Sequence, residues 1–159
     1  MSERSLGERM LSTWARLAPL PGGKWLFSRV VGFTIPYTST IGAHIDHLEP
    51  GHARVLLTDR RKVRNHLRSV HAIALANVAE LSTGLAVMSG MPAGYNGILV
   101  NLNINYTKKA RGVLTVECQC SVPEFTERTE IPVDTVIKDA SGDVVTTATA
   151  RWLIGPLAS

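Results

Sequence analysis

The chain has 159 residues, 45% of them hydrophobic and 19% charged, with a formal net charge of +4 at neutral pH. A length near 150 residues suits one domain that buries about 68–70% of its unfolded surface, so no staples are required: the two cysteines, Cys118 and Cys120, have no second pair and suggest neither a disulfide framework nor a zinc set. Three Trp, three Tyr and three Phe are scattered rather than interleaved with basic residues, so the positive balance suits an anionic small ligand better than nucleic acid.

Charges at Glu3, Arg4, Glu8 and Arg9 precede any apolar stretch, and no uninterrupted apolar run approaches the ~18 residues of a membrane span. A soluble, cytoplasmic protein is expected. From Ser5 to Ala18, the residues Met10, Leu11, Trp14, Leu17 and Ala18 recur at the spacing of an amphipathic helix, which Pro19 and the Pro21-Gly22-Gly23 turn stop. A second helix is expected over Lys24 to Phe33. Its apolar face, with Trp25, Leu26, Val30 and Phe33, is read as core packing or a subunit contact, because its polar face is not rich in basic residues.

After Pro36 the period changes. Ile41, Ala43 and Ile45, a break at Glu49-Pro50-Gly51, and then Ala53, Val55 and Leu57 predict a hairpin. His44, His47 and His52 lie on or beside it. On a regular strand His44 and His47 point to opposite faces, so no metal site is expected. The basic run Arg60, Arg61, Lys62 and Arg64 reads as a solvated loop that would also suit phosphate. Val70 to Met88 is small and apolar almost all round, which predicts a buried helix. Four strands follow: Ile98 to Tyr106, Leu114 to Val122, Ile131 to Lys138 and Val144 to Ile154, the first two with one wet face each. Two strands, one buried helix and four strands predict an α+β fold, a curved antiparallel sheet wrapped around that helix. An N-terminal helical extension over residues 1–38 would precede the main domain over residues 39–159.

Glu80 is the anomaly of the buried helix. An ionised carboxylate among Val78, Ala79, Leu81, Leu85 and Ala86 must find partners, be neutralised or face a cleft. Asn77, one turn earlier, can hydrogen-bond it or cap a core contact. Asn65 and His71 stand just before the helix. Beyond the next strand comes Tyr106-Thr107-Lys108-Lys109-Ala110-Arg111-Gly112.

Asn65, then His71 six residues on and Glu80 nine further, with that basic turn at a strand end, resembles the hotdog-fold thioesterases, in particular the phenylacetate-pathway (PaaI-like) and 4-hydroxybenzoyl-CoA branches. The likeness covers roughly Thr40 to Ile154. Where that family commonly has His-Gly-Gly, this chain has His71-Ala72-Ile73. Glycines admit a ligand close to the backbone, so Ala72 and Ile73 narrow the approach while keeping their amides.

The resemblance implies hydrolysis of an acyl-CoA thioester. Glu80 would be base or nucleophile, and the helix-start amides of Ala72 and especially Ile73 the oxyanion donors, each worth about 2.7–4 kcal/mol in other hydrolases. Asn65 would orient water or thioester, and His71 would hold the loop or hydrogen-bond near the carbonyl. Asn77, Ser82 and Thr83 are candidates to line the substrate pocket; Trp14, Trp25 and Phe33 are candidates to cover it. Lys108, Lys109 and Arg111 would grip the coenzyme A phosphates, the bland reading being a solvated turn. Coenzyme A would be part of the substrate, and no separate cofactor is expected. Sites of this family usually lie between subunits, which implies a homodimer or a dimer of dimers. The competing function is a non-catalytic acyl-thioester binding module, which the loss of Gly-Gly favours. A dehydratase would need a His-Phe-Pro or Pro-Gly helix start, and a serine hydrolase a Gly-x-Ser-x-Gly elbow; the chain has neither.

Overall fold

The computed structural model describes residues 5–157, so Glu3 and Arg4 lie outside the described residues. Helix α1 spans Leu6–Leu17 and opens with a capping box: Ser5 Oγ accepts from the Glu8 amide at 3.1 Å, and Glu8 Oε2 from the Ser5 amide at 2.8 Å. Helix α2, Gly23–Thr34, follows after a turn so tight that a Cβ on Gly23 would lie 1.7 Å from the Leu17 carbonyl oxygen. A short α3, Pro36–Ser39, completes the helical segment.

Strands β1 (His44–Glu49) and β2 (His52–Thr58) form the expected hairpin. Ile41 and Ala43 precede it, because Gly42 takes a left-handed turn and Arg60 Nη2 donates to the Ile41 carbonyl at 2.7 Å. The long helix α4 is Ala72–Gly90, and β3 (Tyr95–Tyr106), β4 (Val113–Gln119), β5 (Thr129–Lys138) and β6 (Val144–Pro156) follow. The six strands make one antiparallel sheet in the order β1-β2-β4-β5-β6-β3.

Alternation builds the core. Ala53, Val55 and Leu57 of β2 and Leu114, Val116 and Cys118 of β4 turn inward and are buried. They pack with Leu75, Val78, Ala79, Leu85 and Ala86 of α4, which the sheet curves around. Burying each such Leu or Val contributes roughly 1.5–3 kcal/mol over leaving it exposed. This is the hotdog architecture. By length and composition alone α4 could cross a membrane, but 61% of its most apolar window is buried inside the protein, as befits a core helix.

The amino-terminal helices dock on α4 and on β1. At Gly7 the backbones of α1 and α4 approach so closely that a Cβ would sit 2.1 Å from the Met88 carbonyl oxygen. Trp14 and Phe27 meet edge to face at 5.1 Å between centroids. Ser28 Oγ accepts from the Ile45 amide at 2.8 Å, and Lys24 pairs with Asp46 at 2.9 Å. The apolar face of α2 is therefore split: Phe27 is buried, while Phe33 is 83% exposed.

One sequence expectation fails. The β1–β2 register slips between Ile45 and His47, so His44 pairs with Leu56 and His47 with Arg54. Leu56 and Arg54 are two apart on β2 and share a face, which puts His44 and His47 on one side of the sheet. An unpaired residue, Asp46, reverses the parity on which the opposite-face argument rested.

Candidate active site

The start of α4 is held by a loop wound on Asn65. Its Oδ1 accepts from the amides of Leu67 at 2.9 Å and Ser69 at 3.2 Å and from the Ser69 hydroxyl at 3.2 Å. Such an Asx arrangement leaves only the amide nitrogen of the Asn65 side chain for a ligand. Val70 donates to Ala110 and His71 to Val63, both at 2.8 Å, which fastens the helix start to the strand region. His71 is the N-cap: its Nδ1 accepts from the Ile73 amide at 3.1 Å, a geometry that puts any ring proton of the neutral form on Nε2.

That bond bears on the amides expected to serve as oxyanion donors. The Ile73 amide is already engaged by His71, whereas among the described residues the amides of Ala72 and Ala74 meet no acceptor. Tyr106, which sequence reasoning placed only as a strand end, donates from its hydroxyl to the Ala72 carbonyl at 3.0 Å. A hollow of about 340 Å³ opens here, lined by Asn65, Ser69, Ala72, Tyr106, Lys108 and Lys109 among others.

The basic turn divides. Lys108 Nζ lies 2.9 Å from Asp139 and 2.6 Å from Asp143, so its charge is matched within the β5–β6 turn. Arg111 donates to the carbonyls of Arg68 at 3.2 Å and Leu67 at 3.4 Å and ties the Asn65 loop down. Lys109 is exposed and makes no ion pair among the described residues.

Glu80 lies elsewhere. Nine residues beyond His71, at about 1.5 Å rise per residue, it is about 13 Å along the helix. It lines a cavity of about 370 Å³ walled by α1, α2, α4 and Trp152, with Met10, Phe27, Val31, Leu81 and Leu85 supplying apolar surface and Arg9 and Thr13 further polar groups. Among the described residues its carboxylate has no hydrogen-bond or ion partner, and burial pushes its pKa above the usual carboxylate value. Gly84, one turn on, keeps this space open: a Cβ there would contact the Trp152 ring at 3.4 Å and stand 3.9 Å from Glu80 Oε1.

The remaining candidates fall away from this cavity. Thr83 is fully buried; its hydroxyl donates to the Glu80 carbonyl at 3.0 Å and accepts from Trp152 Nε1 at 3.3 Å, so it reaches the cavity only by holding Trp152 in the wall. Ser82 turns to the sheet and bonds Thr135 at 2.9 Å. Asn77 does not bond Glu80; its Oδ1 is buried without a partner among the described residues. Trp14 packs on Phe27 and Trp25 lines a different hollow, so neither covers Glu80. Sequence reasoning missed Trp152 and Gly84. A glycine four residues after the lone carboxylate, in a helix otherwise rich in alanine, was the available signal.

The sequence matches the family described as Domain of unknown function (DUF4442) over residues 23–154. The chain belongs to that family. The match takes in α2 together with all six strands, β6 as far as Ile154. No curated protein matches the chain by sequence. Among solved structures, this DUF4442 chain is similar to a structural-genomics protein with 28% identity and a TM-score of 0.81, covering 94% of this chain and 99% of that one. It is also similar to a Pseudomonas aeruginosa protein described as a probable thioesterase (21% identity, TM-score 0.75, 87% of this chain and 97% of that one). A third is a hypothetical thioesterase from Streptococcus pneumoniae solved with coenzyme A (24% identity, TM-score 0.66, 80% and 99%). The likeness to the last two shows the fold.

Proposed function

We propose that the protein is a thioesterase that hydrolyses an acyl-CoA to free acid and coenzyme A. The observation that carries this reading is Glu80: a carboxylate without a partner among the described residues, in the wall of a largely apolar cavity, its proton held more tightly than usual by burial. A carboxylate so placed is a stronger base than one in water and suits activation of a water, or attack, at a thioester carbonyl. The thioesterase descriptions of structural neighbours, one of them with coenzyme A, support it.

Glu80 takes the hydrolytic role. The open amides of Ala72 and Ala74 stabilise the developing oxyanion, and Ile73 joins them when the His71 ring turns away. Asn65 presents its side-chain amide near the helix start. The cavity between α4 and the amino-terminal helices takes the acyl tail, and Lys109, with less help from the engaged Lys108 and Arg111, meets the phosphates.

About 9–12 Å of helix separates Glu80 from the amides of Ala74 and Ala72, too far for one carbonyl to touch both in one chain. Among the described residues strand β3 pairs only with β6 and leaves its other edge free, with Ile98 57% exposed. Pairing of β3 edges between two copies would cover that edge and let Glu80 of one chain face the helix start of the other. The functional unit is on this reading a homodimer, alone or within a dimer of dimers.

The test is thiol release from short, medium, long and aryl acyl-CoA substrates by the wild type and by Glu80→Gln. Glu80-dependent release from at least one substrate supports the proposal; absence of it across the panel overturns it. A second reading, a binding module without turnover, draws on the Ile73 amide being occupied by His71. It predicts a thermal shift on adding acyl-CoA with no thiol released.

A further inference from the structure

Away from α4, the bulge at Asp46 has a chemical consequence. It turns His47 to the outer face of the sheet, Glu49 follows two residues later on that face, and His52 is the cross-strand partner of Glu49. Glu49 Oε1 stands 3.3 Å from His47 Nε2 and 3.1 Å from His52 Nδ1. One ligand atom from each residue lies within 4.8 Å of the others, and the imidazole centroids are 4.9 Å apart. In a tetrahedral zinc site with bonds of about 2.0–2.1 Å, neighbouring ligand atoms are about 3.3 Å apart. The two histidine–carboxylate separations match that edge.

A second observation is independent of the first. The other ring nitrogen of His52, Nε2, lies 2.8 Å from Glu117 Oε1 on β4. A histidine that binds a metal through one nitrogen almost always gives its other N–H to a carboxylate, carbonyl or water, which fixes the tautomer and raises ligand basicity. Arg54, the nearby cation, is drawn to Glu117 at 3.7 Å and Asp46 at 3.6 Å, so carboxylates offset its charge.

We propose that His47 Nε2, Glu49 and His52 Nδ1 bind one zinc-class divalent cation on the outer face of the β1–β2 hairpin, with Glu117 orienting His52 from β4. Two imidazoles and one carboxylate are a borderline donor set that favours zinc and its neighbours over magnesium or calcium. The fourth position faces solvent, as Glu49 is exposed. The site is at the opposite end of α4 from His71: Ser89, in the last turn, accepts from the Gly51 amide at 3.1 Å and lies 3.0 Å from the Glu49 carbonyl. The ion would fasten the hairpin turn that rests on this end of the core helix. The proposal is independent of the thioesterase reading.

The experiment is calorimetric titration of the tag-free, metal-stripped full chain with Zn²⁺, with the visible spectrum of the Co²⁺ form as the report of geometry. One ion per chain and a tetrahedral Co²⁺ spectrum are expected. Glu117→Gln should weaken binding about 10–100-fold, and His47→Ala, His52→Ala and Glu49→Gln by more than that, while His44→Ala leaves it unchanged. Circular dichroism without metal establishes that each variant is folded; Glu49→Gln, at an exposed position, keeps the test available if a histidine variant is not. Absence of saturable one-to-one binding, or binding indifferent to Glu49→Gln and the His47 and His52 variants, or lost equally with His44→Ala, overturns the proposal.

Discussion

Glu80 and Glu49 are two carboxylates of one small protein held in opposite ways. Glu80 stands in a largely apolar wall with no hydrogen-bond or ion partner among the described residues, and burial raises its pKa. Glu49 is on the surface between two imidazoles, and hydrogen bonds, first from His52 and then from His47, lower its pKa. The fold leaves the first poised to take a proton and keeps the second a ready anion. What neighbours a carboxylate, more than the carboxylate itself, decides whether it serves as base or as ligand.

The comparison breaks most sharply at Glu80→Gln. If Glu80 is the base, thiol release should fall about 10²–10⁴-fold, with acyl-CoA binding, read by thermal shift, largely kept. An equal fall for Glu49→Gln would remove the distinction between the two sites. Next in size is Trp152→Ala. Loss of a buried Trp costs about 3–5 kcal/mol, and here it also frees the Thr83 hydroxyl and opens the cavity wall. A lowered melting temperature together with a shift toward bulkier acyl groups is expected; a shift in neither would place Trp152 outside the pocket.

A third prediction concerns Gly7→Val. Because a Cβ at Gly7 would meet the Met88 carbonyl oxygen at 2.1 Å, α1 must move off α4 and the cavity loses one wall. Weakened discrimination among acyl lengths, measured as kcat/KM ratios, is expected, with a smaller loss of melting temperature than for Trp152→Ala.

The smallest effect is in the pH dependence of stability. A carboxyl whose folded pKa is raised contributes fully below its unfolded pKa, and that contribution is lost as pH rises through the folded value. Glu80→Gln should therefore be more stable than the wild type at neutral pH, with the advantage vanishing in acid below the usual carboxylate range. Melting curves across pH check the sign; a Gln variant less stable at neutral pH would mean that the carboxylate has a partner in solution. If Glu80 is the base, the acidic limb of wild-type turnover should by the same argument lie above that of an ordinary carboxylate, because a base acts ionised.

Much of this was legible in the amino acids. Period-two alternation and the small apolar run from Val70 to Met88 determine strands and a core helix, because burial acts on side chains at fixed spacing along the chain. Glu80 declared itself by the cost of its charge in that run. Other features depended on contacts between distant residues. The bulge at Asp46 inverted the expected faces of His44 and His47; Thr83 and Ser82, next to Glu80 in sequence, turned inward to Trp152 and Thr135; and Lys108 found Asp139 and Asp143 across two strands. Local pattern carries information about which way a residue faces. What it then meets, including the α1–α2 wall over Glu80 and the imidazoles beside Glu49, is decided only when segments remote in sequence pack together.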